Sequence, residues 1–136
     1  MSSPVRPTKI EEDLAVFRAE QTMDGDAPST VRMATEHIHE HLFDPNLTVQ
    51  QIRDRLGLSA PMFPTRFRHH HGHTPACYIR HLRVEAAKRL LRRYDDLRIA
   101  DVALQVGYGH YRTFARVFKR VTGKSPQAFR EQAGAD

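Results

Sequence analysis

The 136-residue chain has one cysteine, Cys77, so no internal disulfide can staple it, and a reducing compartment suits it. No stretch approaches the roughly 20 consecutive apolar residues of a membrane-spanning helix, so no membrane partner is expected. The opening MSSPVRPTKIEED lacks the apolar core of a secretory signal, which predicts a cytoplasmic chain. Lysine is scarce beyond residue 30, where only Lys88, Lys119 and Lys124 occur, so the positive charge there is mostly arginine. That charge is unevenly placed: residues 1–30 hold three basic and six acidic residues, whereas the remainder holds 18 basic and 10 acidic. A basic domain suits a polyanion, but charge alone does not separate that from a merely soluble surface.

What the chain does have is a stretch that occurs twice. Residues 97–130, LRIADVALQVGYGHYRTFARVFKRVTGKSPQAFR, align with residues 47–80, LTVQQIRDRLGLSAPMFPTRFRHHHGHTPACYIR. Leu47 falls on Leu97, Ile52 on Val102, and Gly57-Leu58 on Gly107-Tyr108, each 50 residues apart. One extra residue then enters the second copy, so Phe63 falls on Phe114, Phe67 on Phe118, Gly72 on Gly123 and Tyr78 on Phe129. Two copies are too few for a stacked solenoid, and the repeat predicts two similar small units.

Each unit is punctuated as two helices around a tight turn. Ile99, Val102, Ala103 and Val106 form one short apolar stripe, Gly107 ends it, and Phe114, Val117, Phe118 and Val121 form the next. Helix, glycine-containing turn and second helix with a basic outer face make the helix-turn-helix pattern. The polar side of that second helix carries Tyr111, Arg112, Thr113, Arg116, Lys119 and Arg120. Arg112 and Arg116, four residues apart, project toward a common surface. An arginine fork matches the paired acceptors of a guanine edge or a phosphate.

Two such patterns in register, joined by a long helical stretch, are more specific than one. The sequence resembles the DNA-binding domain of the AraC/XylS family of transcription regulators, through TPACYIRHLRVEAAKRLL and ALQVGYGHYRTFARVFKRVTGKSPQAFR. The likeness runs from about Val31 to Arg130. It implies a seven-helix, two-subdomain fold that places one helix of each unit in successive major grooves, with the central helix setting their separation. It also implies a regulator that recruits or repositions RNA polymerase. No small-molecule effector site is evident, and nothing calls for a cofactor.

Taken in order, residues 1–30 read as an N-terminal arm and linker. Ile10, Leu14 and Phe17 could line a short acidic helix, but a poorly ordered arm is the expectation. Residues 31–136 form the domain, with a first unit at about 47–72, a linker helix at about 75–93 and a second unit at about 97–130. His37 and His41 stand one turn apart and could hold a metal, yet no third ligand is placed to complete a site, and a solvated helix side accounts for them better. Thr48 should cap the next helix, with Gln51 as its capping-box partner. Ser59 should open the first recognition helix, with Pro61 harmless in its first turn. Pro64 then falls where a proline breaks a helix, at about 3 kcal/mol, so a short helix over roughly 64–70 is predicted.

In that unit Pro61 and Thr65 occupy the places of Arg112 and Arg116, so both forked donors are missing. His69, His70, His71 and His73 invite a metal reading, but neighbouring side chains on a helix diverge, and a solvated helix end is preferred. Thr74 and Pro75 open the long middle helix, whose Arg80, Arg83, Arg89, Arg92 and Arg93 read as solubilising or internally paired groups. Cys77 and His81 could suggest a catalytic thiol, but nothing supplies an oxyanion site. His110 stands where the family has a small cap, which puts about 1 kcal/mol of helix stability at risk. Ser125-Pro126 should cap a last helix through Arg130, followed by a polar tail.

These observations predict an all-α fold of two helix-turn-helix subdomains joined by a long central helix, and no enzyme. The expected activity is sequence-specific binding of double-stranded DNA by a transcriptional activator or repressor, with the second unit dominant. Tyr111, Arg112, Thr113, Arg116, Thr65 and Arg66 are the expected base-facing residues, and Arg68, Lys119, Arg120 and Lys124 the expected phosphate-facing ones. The alternative is a repurposed relative that acts mainly through protein contacts.

Overall fold

Thr74 begins the element on which everything else packs. Its hydroxyl accepts from the Cys77 amide at 3.3 Å, and Pro75, whose missing amide costs nothing in a first turn, starts the helix. In this computed structural model, which describes residues 7–23, 25–57 and 62–135, that helix is the fifth of eight. The order is α1 (Pro7–Glu20), α2 (Ser29–Glu40), α3 (Val49–Leu56), α4 (Met62–His71), α5 (Pro75–Arg93), α6 (Ile99–Gln105), α7 (Tyr111–Thr122) and α8 (Pro126–Ala135). No strand occurs among the described residues, and none of their helices is long and apolar enough to cross a membrane.

The central helix buries Ile79, Leu82, Val84, Ala86, Ala87, Leu90 and Leu91. Helix α2 packs on α3 and α4 to form the first unit, while α6, α7 and α8 pack on α5 to form the second. Phe67 in α4 and Phe114 and Phe118 in α7 are completely buried, each contributing roughly 1.5–3 kcal/mol of hydrophobic stabilisation. Thr48 caps α3, its hydroxyl accepting from the Gln51 amide at 3.0 Å. The Gln51 side-chain oxygen is buried without a partner, so the reciprocal half of the expected capping box is not made.

Four features of the helices depart from the sequence-based expectations. The N-terminal segment is a packed helix rather than a loose arm: Ile10, Leu14 and Phe17 are 3%, 7% and 4% exposed and join the main core. Its acidic side meets the basic outer side of α5. Asp13 pairs with Arg93 at 3.2 Å and accepts from the Tyr94 hydroxyl, and Glu20 pairs with Arg89. This adds α1 to the seven helices the resemblance implied. The described part of helix α4 runs from Met62 through Pro64 to His71, so the helix does not restart at Pro64. Leu58, Ser59 and Pro61 lie outside the described residues. Val121, expected in the apolar stripe of α7, is 36% exposed. Helix α8 continues through the expected polar tail to Ala135.

Candidate nucleic-acid interface

Helix α7 is amphipathic because its two buried phenylalanines are four residues apart. With about 100° between successive residues, Arg112, Arg116 and Lys119 fall opposite Phe114 and Phe118. All three are exposed, as are Tyr111 and Arg120; Thr113 is half-buried. Among the described residues no ion pair or side-chain hydrogen bond holds Arg112, Arg116, Lys119 or Arg120. Their positive charge therefore stays available to an outside anion. The turn before α7 holds Gly107 at φ 100°, and the Tyr108 amide donates to the Ala103 carbonyl at 2.9 Å. His110 begins α7 with extended backbone and no side-chain cap bond, as expected of imidazole at this place. Beyond α7, Gly123 turns the chain at φ 83°, Lys124 is exposed, and the Ser125 hydroxyl caps α8 by accepting from the Ala128 amide at 3.1 Å.

The matching surface on α4 is thinner. Thr65, Arg66 and Arg68 are exposed, but only Thr65 and Arg68 fall opposite Phe63 and Phe67. Arg66 points to the flank, at the place of Val117. The structure therefore brings Arg112 and Arg116 onto one outward side and offers no equivalent pair on α4 among the described residues.

The histidines are more internal than expected. The His71 ring lies between Phe67 and Tyr78, at centroid distances of 4.4 and 4.6 Å, with Nε2 2.8 Å from the Thr35 hydroxyl. His39 is buried, its Nε2 2.7 Å from the Tyr78 hydroxyl. Burial lowers the His39 pKa from its ordinary value and pushes the Tyr78 phenol up to about 12, so a neutral imidazole faces a protonated phenol near neutral pH. His37 is also lowered, by burial first and by neighbouring His41 second. Cys77 contacts His73, Sγ to Nδ1 3.5 Å, and His73 stacks on His81. No group of three potential ligands placed to hold a metal occurs among the described residues.

The central arginines divide. Arg89 and Arg93 pair with α1, and Arg92 lies over the Phe129 ring at 5.0 Å. Arg83 is buried at 6% exposure, the internally paired of the two roles expected of it. The available signal was its register: Ile79, Arg83, Ala87 and Leu91 form one row at spacing four, on the apolar side of α5.

Comparison with known proteins matches residues 52–132 to the helix-turn-helix domain family. The chain is 34% identical over 100 residues to the arabinose operon regulatory protein of Escherichia coli K12, covering 74% of this chain and 34% of that protein. It is 28% identical over 120 residues to the HTH-type transcriptional activator RhaS of Escherichia fergusonii, covering 87% of this chain and 42% of that protein. It thus spans less than half the length of these relatives. Among solved structures, the C-terminal domain of AraT, a response regulator from Geobacillus stearothermophilus, superposes with a TM-score of 0.74 at 26% identity, over 79% of this chain and 88% of that one. The DNA-binding domain of the global transcriptional factor AdpA, solved with a target DNA, gives 0.70 at 28% identity, over 79% of this chain and 96% of that one.

Proposed function

Since the chain belongs to the AraC/XylS family of helix-turn-helix transcription regulators, not of enzymes, we propose that it binds double-stranded DNA sequence-specifically and regulates transcription from there. One observation carries this reading: four unpaired cations, Arg112, Arg116, Lys119 and Arg120, stand exposed on a helix anchored from behind by Phe114 and Phe118. Helix α7 enters the major groove. Arg112 and Arg116 read base edges there, with Tyr111 and Thr113 beside them, and Lys119, Arg120 and Lys124 hold phosphates. Helix α4 enters a neighbouring groove with Thr65 toward bases, Arg68 toward phosphate and Arg66 at its flank, contributing less discrimination. The relatives named as an activator and an operon regulator favour a role in recruiting RNA polymerase, in the cytoplasm.

The competing reading, action mainly through protein contacts, draws on Thr65 standing where the second unit has Arg116. Selection from random duplexes followed by filter binding at two salt concentrations separates the two. A DNA-reading protein should prefer the selected duplex over random DNA by at least about 1000-fold, with affinity falling steeply as salt rises. Equal affinity for selected and random duplexes would reject sequence-specific binding.

A further inference from the structure

Arg83 ties the two units together. Its Nε donates to the Leu42 carbonyl at 2.8 Å, and one terminal nitrogen donates to the Asp44 carbonyl at 2.8 Å. Both carbonyls belong to the segment that leads from α2 into α3, in the first unit. From the other side the guanidinium lies over the Tyr108 ring, 5.2 Å from its centroid, in the turn of the second unit. The two turn glycines differ accordingly. Among the described residues a Cβ built on Gly57 would meet nothing within 4 Å, whereas one on Gly107 would stand 3.0 Å from the Arg83 guanidinium. Gly107 thus leaves the room that Arg83 occupies, besides taking φ 100°.

The geometry of the head group suits this task. A planar guanidinium donates in two fixed directions and stacks on a ring at once, whereas an ammonium on a flexible stem does neither. Helix α5 alone sets only the distance between its ends. The angle between units needs a second fixed point away from the helix axis, and Arg83 supplies one. We propose that Arg83 is a positioning residue that fixes the relative orientation of the two helix-turn-helix units and so the spacing of the DNA half-sites they accept. This rests on the two-groove reading above.

Two linked measurements test it. Spin labels at Gln50→Cys and Gln127→Cys, both exposed, with Cys77→Ser, report the distance between units in the free protein. The distribution should be narrow with Arg83, at least about twofold wider in Arg83→Met, and intermediate in Arg83→Lys, which keeps the charge and helps the fold survive. In the second arm, one base pair is inserted between the halves of a duplex selected by the parent chain. That insertion displaces the halves by about 3.4 Å and turns them by about 35°. The parent should lose at least about 10-fold in affinity, and a folded Arg83 variant less than about threefold. Unchanged distance widths, or an unchanged insertion penalty in a folded variant, would overturn the role of Arg83 while a strong parental penalty left the two-groove reading intact. A parent indifferent to the insertion would overturn the two-groove reading and with it any part for Arg83 in spacing.

Discussion

Phe63 and Phe67 in the first unit are as deeply buried as Phe114 and Phe118 in the second, yet the opposite sides of α4 and α7 carry different chemistry. On α7 that side holds Arg112, Arg116, Lys119 and Arg120; among the described residues of α4 it holds Thr65, Arg68 and His69. The residues that fold the unit and those that would read DNA occupy opposite sides of the same helix, so one set can change while the other stays. Histidine shows a second contrast. His39 and His71 are built into the first unit around Tyr78, and His37 is half-buried against the His41 ring, while the second has only exposed His110.

The comparison can be broken at the core. Phe67→Ala and Phe118→Ala should each cost about 3–5 kcal/mol in denaturant unfolding, since both rings are fully buried. A loss in one unit far below the other would mean the two cores are not equivalent. Phe17→Ala in α1 should fall in the same range, because that ring is 4% exposed and covered by Arg89.

Smaller effects sharpen it at the helix starts. Thr48→Ala removes a formed cap from α3 and should cost about 1 kcal/mol. His110→Ser adds an absent cap to α7 and should gain up to about 1 kcal/mol in thermal unfolding.

The least expected change is with pH. His39 and His37 have folded-state pKa values below the ordinary 6.5, so the unfolded chain binds more protons as pH falls past that value. Their contribution is complete above about 6.5 and is lost at lower pH. The thermal midpoint should therefore fall between pH 7 and pH 5, with a shallower slope in His39→Gln. An identical slope in that variant would remove His39 from the account.

Much of the fold was legible because apolar spacing and caps report it directly: Thr48, Thr74-Pro75 and Ser125 sit where the structure starts α3, α5 and α8. What was not legible depended on contacts distant in sequence. Ile10, Leu14 and Phe17 show a helical stripe, but only the α5 surface, with Arg89 and Arg93 opposite Glu20 and Asp13, decides that the stripe is covered. The cost of Pro64 depends on where the helix begins, and residues 58–61, which decide that, lie outside the described residues. For Arg83 the sequence left solubilising and internally paired roles open, because its acceptors are backbone carbonyls 39 and 41 residues away. For the candidate interface, the outward direction of Arg112 and Arg116 followed from helical periodicity alone, since the side opposite a buried pair must face out.

The claim that the second unit does most of the reading is tested most directly by four alanine variants titrated against one selected duplex at fixed salt. Arg112→Ala and Arg116→Ala should each weaken binding by about 1–3 kcal/mol, roughly 10- to 100-fold, and relax preference at the bases they face. Thr65→Ala and Arg66→Ala should each change it by less than about threefold, consistent with a unit lacking paired forked donors. Equal losses in the two units, or larger losses from Thr65 and Arg66, would contradict the account.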